Sequence, residues 1–119
     1  MAANYTPTGS PVNVYKAALQ AAAGNLDVPI TDAPLRVAVT FVMDRPKKLL
    51  GKKSPAGRIP YARKPDLDNF LKSTLDALNG FLWHDDSQVW FVAAEKVYRA
   101  MDEQPGVIIQ VVGVARNGG

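Results

Sequence analysis

From Leu35 to Met43 the chain alternates without a break, with Leu35, Val37, Val39, Phe41 and Met43 on one side and Arg36, Ala38, Thr40 and Val42 on the other. A period of two sustained this long predicts a β-strand with one buried face. A different period governs Leu67 to Leu78: Leu67, Phe70, Leu71, Leu75 and Leu78 recur at helical spacing, and Asn79-Gly80 closes the run. A second helix is expected from Val14 to about Ala23, capped by Asn13 and stopped by Gly24 and Asn25, with Val14, Ala18, Leu19 and Ala22 as its apolar face. Gln88 to Tyr98 reads as a strand rich in valine and aromatic residues, weakest at Ala93-Ala94-Glu95. After a turn at Asp102 to Gly106, Val107 to Val114 is a continuous β-branched run, expected to be a well-buried strand.

Between these elements the periodicity lapses. Residues 1–11 are small and polar, with Pro7, Gly9 and Pro11, and are expected to form a loose arm; residues 115–119 are expected to form a flexible tail. Residues 44–64 hold three prolines and two glycines and predict a long loop, of the kind that in small domains is usually functional or disordered. The order helix, strand, helix, strand, strand predicts one small α/β domain over residues 1–119, a mixed β-sheet packed with two helices.

Composition narrows the chemistry. The chain has 119 residues, 47% of them hydrophobic and none of them cysteine, so disulfides and thiolate metal sites are excluded. No apolar run is long enough to span a membrane, and Met1 to Ser10 lacks the pattern of a signal peptide, so a cytoplasmic protein is expected. The net charge of +3 is unevenly spread: Arg45, Lys47, Lys48, Lys52, Lys53, Arg58, Arg63 and Lys64 lie within residues 44–64, leaving six basic against ten acidic residues elsewhere. A polyanion would therefore meet one basic patch, and this loop is the expected DNA-binding surface.

The densest polar constellation is Asp66, Asp68 and Asn69, then Lys72, then Asp85-Asp86. Carboxylates converging on one point suit a hard divalent cation such as magnesium, which takes oxygen ligands and keeps several waters. Asp68, Lys72 and Asp76 are four apart and form a polar stripe opposite the leucines. Each residue also has a plainer reading. Asp66 suits a helix N-cap, Lys72 an i, i+4 partner of Asp68 or Asp76, and Asp85-Asp86 a solvated turn. His84 is either a base beside two acids or an incidental turn residue. Trp83, Trp90, Phe81 and Phe91 suit a core or an interface better than a base-stacking platform.

Lys64-Pro-Asp-Leu-Asp-Asn-Phe-Leu-Lys72, then Leu75-Asp-Ala-Leu-Asn79, then Asp85-Asp-Ser-Gln-Val89, together resemble the RusA family of Holliday junction resolvases. The family pattern is a D-x-D-N-x-x-K run, a D-A-L helix end and a D-D-x-Q-V approach to the next strand. All three occur here in order, and Tyr5-Thr-Pro7 ahead of Tyr15-Lys16 is a looser likeness. The resemblance implies a RusA-like fold and a homodimer that nicks four-way or branched DNA symmetrically, using Mg2+ or in its place Mn2+. It implies metal ligands at Asp66, Asp68 and the Asp85-Asp86 pair, Asp86 being preferred as the direct ligand, and a catalytic set of Asp66, Asp68, Lys72 and Asp86, with the lysine at the scissile phosphate.

Two departures from the family pattern bear on junction binding. Members usually begin with a strand and a basic Pro-Arg segment, whereas the sequence given starts almost directly at Tyr5, and Pro65 stands where some relatives place an aromatic residue. The alternatives are a catalytically weak or inactive DNA-binding protein of the same fold, and a small oligomeric scaffold in which Asp66 merely caps a helix.

Overall fold

The computed structural model describes residues 19–21, 23 and 30–113. Strand β1 spans Leu35–Met43, a short β2 spans Ile59–Pro60, helix α1 spans Leu67–Leu78, β3 spans Val89–Tyr98 and β4 spans Gly106–Gly113. Leu19, Gln20, Ala21 and Ala23 are helical, as expected for the end of the first helix, whereas its start, the loose arm and the tail lie outside the described residues. The sheet order is β2-β3-β1-β4, with β1 parallel to β3 and antiparallel to β4, and β2 antiparallel to β3. This is a mixed sheet in a small α/β domain.

The alternation of β1 decides which face is inside. Leu35, Val37, Val39 and Phe41 are buried on the face that meets Ala77, Leu78, Leu82, Trp83, Leu19 and Ala23. The leucine stripe of α1 turns the same way, and Phe70 stacks on Phe41 with ring centroids 4.9 Å apart. Replacing Phe41 by alanine would remove that stack and leave a cavity, at a cost of about 3–5 kcal/mol. Thr74 is buried among these apolar groups because its hydroxyl donates back to the Phe70 carbonyl at 2.8 Å, which satisfies it locally.

Two expectations need correction. Residues 44–64 are not one unstructured loop, since they contain a 3₁₀ turn at Lys47–Leu49 and the two-residue β2, paired with Val97 and Tyr98. A strand this short leaves no alternation to read in the sequence. Strand β4 is not well buried: it lies at the sheet edge, and Gln110, Val112 and Gly113 are exposed. The strand expected over Gln88 to Tyr98 is found as Val89–Tyr98 and runs unbroken through its weak centre, with Ala93 and Ala94 paired to Ala38 and Val39.

The outer face of the sheet is more apolar than a solvated face requires. Arg36, Ala38 and Thr40 are in register with Phe91, Ala93 and Glu95 on one side and with Val112, Gln110 and Ile108 on the other. The pairing of β1 and β3 slips by one residue between Leu35 and Arg36, a bulge that takes in Trp90. Trp90 and Phe91 lie against one another there, and the Arg36 guanidinium stands 4.7 Å from the Phe91 ring centroid and 5.8 Å from that of Trp90. Trp90 and Val112 are each 58% exposed.

Candidate active site

Helix α1 supplies one wall of a depression of about 290 Å³ lined by Asp68, Leu71, Lys72, Leu75, Asp76 and Asp86. The four-residue spacing of Asp68, Lys72 and Asp76 puts all three on one helix face, and Asp86 arrives from the turn before β3. Burial first, and then the neighbouring carboxylates of Asp85 and Asp76, push the Asp86 carboxyl above its ordinary value of 3.8, while a hydrogen bond from Asn79 acts the other way. Crowded carboxylates of this kind are relieved by a cation or by a proton.

The turn carrying Asp86 is fixed by Gln88. Its amide oxygen accepts from the backbone N–H groups of His84 and Asp85 at 2.9 and 3.0 Å, and its amide nitrogen donates to the carbonyls of Thr31 and Ala33 at 2.8 and 3.1 Å. One side chain thus ties the turn to the segment leading into β1. Asp85 is outside the depression: its carboxylate accepts from the Ser87 hydroxyl at 3.0 Å, and the Ser87 hydrogen bonds hold it below the ordinary carboxylate range. His84 also faces elsewhere, 3.2 Å from the Asp32 carboxylate.

Asp66 occupies the N-cap position of α1, and its carbonyl accepts the first helical bond from Phe70 N–H at 3.2 Å. Its carboxylate makes no capping hydrogen bond, so the plainer reading of this residue as a side-chain cap does not describe it. Asp66 does not line the depression either, although it stands two residues from Asp68, which does. Among the described residues no three histidine or carboxylate side chains converge tightly enough to form a closed metal cage. The all-oxygen donor set fits magnesium in its usual protein setting, where one or two carboxylates, waters and substrate phosphate complete the shell. Asp68, Asp76 and Asp86 are the carboxylates in the depression that could hold such an ion.

The basic segment divides in two. Arg45 is only 5% exposed, and its guanidinium donates to the carbonyls of Arg99, Leu49 and Gly57 at 2.7, 2.9 and 2.7 Å. The expectation that Arg45 faces DNA is therefore corrected: burial and three backbone acceptors commit it to holding the loop. Arg58 is drawn to Glu103, at 2.5 Å, and lies 3.6 Å from Glu95. Lys47, Lys48, Lys52, Lys53, Arg63 and Lys64 are exposed.

Over residues 4–112 the chain matches the family model of endodeoxyribonuclease RusA. The chain belongs to the RusA family. It is also similar to the uncharacterized protein YqaN of Bacillus subtilis (strain 168), with 31% identity over 87 residues that cover 69% of this chain and 59% of the relative. The chain thus spans about three fifths of that relative's length. Among the described residues, no helix is long and apolar enough to cross a membrane.

Three residues at or around the depression lie in the sequence patterns without being assigned to the site there: Asp76, Asn79 and Gln88. Asp76 was visible as part of the helical stripe, and Gln88 stands in the D-D-x-Q-V element. Asn79 had the local signature of a helix stop, and only the folded turn brings its side chain to Asp86.

Proposed function

We propose that this protein is a magnesium-dependent endonuclease that resolves Holliday junctions and other branched DNA by paired, symmetric phosphodiester cleavage, as a homodimer in the cytoplasm. The observation that carries this reading is the shared depression of Asp68, Lys72, Asp76 and Asp86, on a chain that also exposes Lys47, Lys48, Lys52, Lys53, Arg63 and Lys64. Acidic side chains alone would repel a phosphate backbone, so carboxylates clustered on a DNA-binding protein make sense when a cation stands between them and the DNA.

A divalent cation bound there, Mg2+ or in its place Mn2+, would neutralise charge at the scissile phosphate and make the attacking water more acidic. Asp68 and Asp86 would hold that ion, with Asp66 and Asp85 as the outer carboxylates. Lys72, one helical turn from Asp68, would bind a non-bridging phosphate oxygen and stabilise the charge that builds there as the water oxygen attacks phosphorus and the P–O bond breaks. Lys47, Lys48, Lys52, Lys53, Arg63 and Lys64 would engage the backbone of the arms.

A two-fold dimer suits a junction of like symmetry, because identical surfaces then present two equivalent sites. The apolar outer face of the sheet supports self-association, since parallel pairs such as β1 and β3 are ordinarily covered on both faces. The test is a synthetic four-way junction incubated with protein and Mg2+, beside an Asp68→Asn variant. Paired nicks by the wild type, with binding but no cutting by the variant, are expected. Binding without cutting in Mg2+ or Mn2+ would instead identify an inactive DNA-binding member of the fold, and equal handling of junction and plain duplex would remove the resolvase assignment.

A further inference from the structure

Lys96 lies on β3 in register with Phe41, on the sheet face that packs against α1. Charge alone would make it one more cation available to DNA. Its ammonium is otherwise engaged: it donates to the carbonyl of Arg63 at 2.5 Å and to that of Pro65 at 2.7 Å, and it stands 5.2 Å from the centroid of the Tyr61 ring. An ammonium has three donors, and two backbone oxygens and an aromatic face account for them.

Tyr61 completes the arrangement. Its backbone N–H donates to the Lys96 carbonyl at 3.0 Å, its hydroxyl donates to the Lys64 carbonyl at 2.9 Å, and its ring packs on Tyr98 with centroids 4.8 Å apart. Residues 61–65 are therefore strapped to β3 at the carbonyls of Arg63 and Pro65, while the carbonyl between them, that of Lys64, is held by Tyr61 from within the segment. The next residue is Asp66, and the one after Leu67 is Asp68. The segment lacks a regular element of its own to set its path, so these bonds fix where the chain enters α1.

We infer that Lys96 is a positioning residue of the active site: by tying the carbonyls of Arg63 and Pro65 to β3, it sets the placement of Asp66 and Asp68 at the mouth of the metal-binding depression. The strap also fixes the backbone of the exposed Arg63 and Lys64, the latter two residues short of Asp66. This inference rests on the metal-dependent reading of the site, and it assigns Lys96 no contact with substrate.

The test measures Mn2+ binding to the full chain, from the paramagnetic resonance signal of the free ion, for wild type, Lys96→Met and Lys96→Arg. It also measures the Mg2+ concentration for half-maximal junction cleavage and the salt dependence of junction binding without metal. In Lys96→Met, Mn2+ affinity should fall and the Mg2+ requirement rise by about tenfold, the size of effect seen when a residue supporting a metal ligand is lost. Lys96→Arg, which can still donate to both carbonyls, should recover most of that loss, and the salt slope should be unchanged in both variants.

A folded Lys96→Met protein with wild-type Mn2+ affinity would overturn the inference. So would a salt slope flattened by about 0.9 with metal affinity intact, because that would mark Lys96 as a phosphate contact. Should Lys96→Met fail to fold, Tyr61→Phe keeps the ring and removes only the bond to the Lys64 carbonyl. Weakened Mn2+ binding in that variant supports the strap, and unchanged binding counts against it. A wild type that binds Mn2+, loses affinity with Lys96→Met and cuts no DNA would leave the strap standing and sink the nuclease reading. A wild type that cuts DNA while Lys96→Met keeps its metal requirement would sink the strap alone.

Discussion

The indole Nε1 of the buried Trp83 donates to Asn79 Oδ1 at 2.7 Å, and the same Asn79 side chain acts on Asp86, lowering its carboxyl against the neighbouring carboxylates that raise it. The core is thereby linked to the candidate site through one carboxamide. Replacing Asn79 by alanine leaves a buried indole donor unsatisfied and frees Asp86, with an expected loss of about 1–3 kcal/mol of stability. Urea denaturation of Asn79→Ala checks the first effect, and junction cleavage at saturating Mg2+ should fall with it. A variant as stable as the wild type would show that the indole bond contributes nothing.

Asp86 is crowded by Asp85 and Asp76 and partly withdrawn from water. A carboxyl whose folded value is raised is destabilising once pH exceeds that value, so neutralising it should stabilise the fold at neutral pH. Asp86→Asn is therefore expected to melt higher than the wild type in chelator, while losing cleavage. Added Mg2+ should raise the melting temperature of the wild type and not that of the variant, because only the wild type gains from binding the ion.

Arg45 should behave as a core residue despite its charge. Arg45→Met removes three bonds from a buried guanidinium and leaves the carbonyls of Leu49, Gly57 and Arg99 without that donor. A loss of about 3 kcal/mol or more is expected, and Arg45→Lys should rescue little, since an ammonium cannot reproduce the planar fork. Chemical denaturation reads the result directly.

The exposed lysines predict the opposite pattern. Lys52→Ala together with Lys53→Ala should leave stability within about 0.5 kcal/mol of the wild type. If both lysines neutralise phosphates, the slope of log binding constant against log salt should become less steep by about 1.8, or about 0.9 for each lysine removed. An unchanged slope would place both residues off the DNA.

Acid should weaken the scaffold around the basic segment. The hydrogen bond from Arg58 holds the Glu103 carboxyl below its ordinary value of 4.5, and that from Arg99 holds Asp44 below 3.8. A lowered folded value means that the stabilisation is fully present above the unfolded value and is lost as pH falls through the folded one. Stability should thus decline from just above pH 4.5 downward. Glu103→Gln should blunt the decline, and salt should reduce it, because Asp44 is half exposed and its pair with Arg99 is open to screening.

Much of this protein was determined locally. The alternation of Leu35 to Met43 and the leucine spacing of Leu67 to Leu78 matched β1 and α1 in type and extent, because each pattern has one geometry that buries all its apolar side chains together. The stripe of Asp68, Lys72 and Asp76 was equally legible, being a consequence of helical pitch. What sequence could not decide were contacts between residues far apart in the chain. The burial of Arg45 depends on carbonyls at Leu49, Gly57 and Arg99, the anchoring of residues 61–65 depends on Lys96 some thirty positions later, and the choice between Asp85 and Asp86 at the depression depends on how Gln88 reaches Thr31 and Ala33. A charged side chain reads the same in sequence whether it faces water or a ring of carbonyls. Only the folded backbone brings those acceptors to it, and so only the tertiary structure separates the cations that hold the fold from those left for a phosphate.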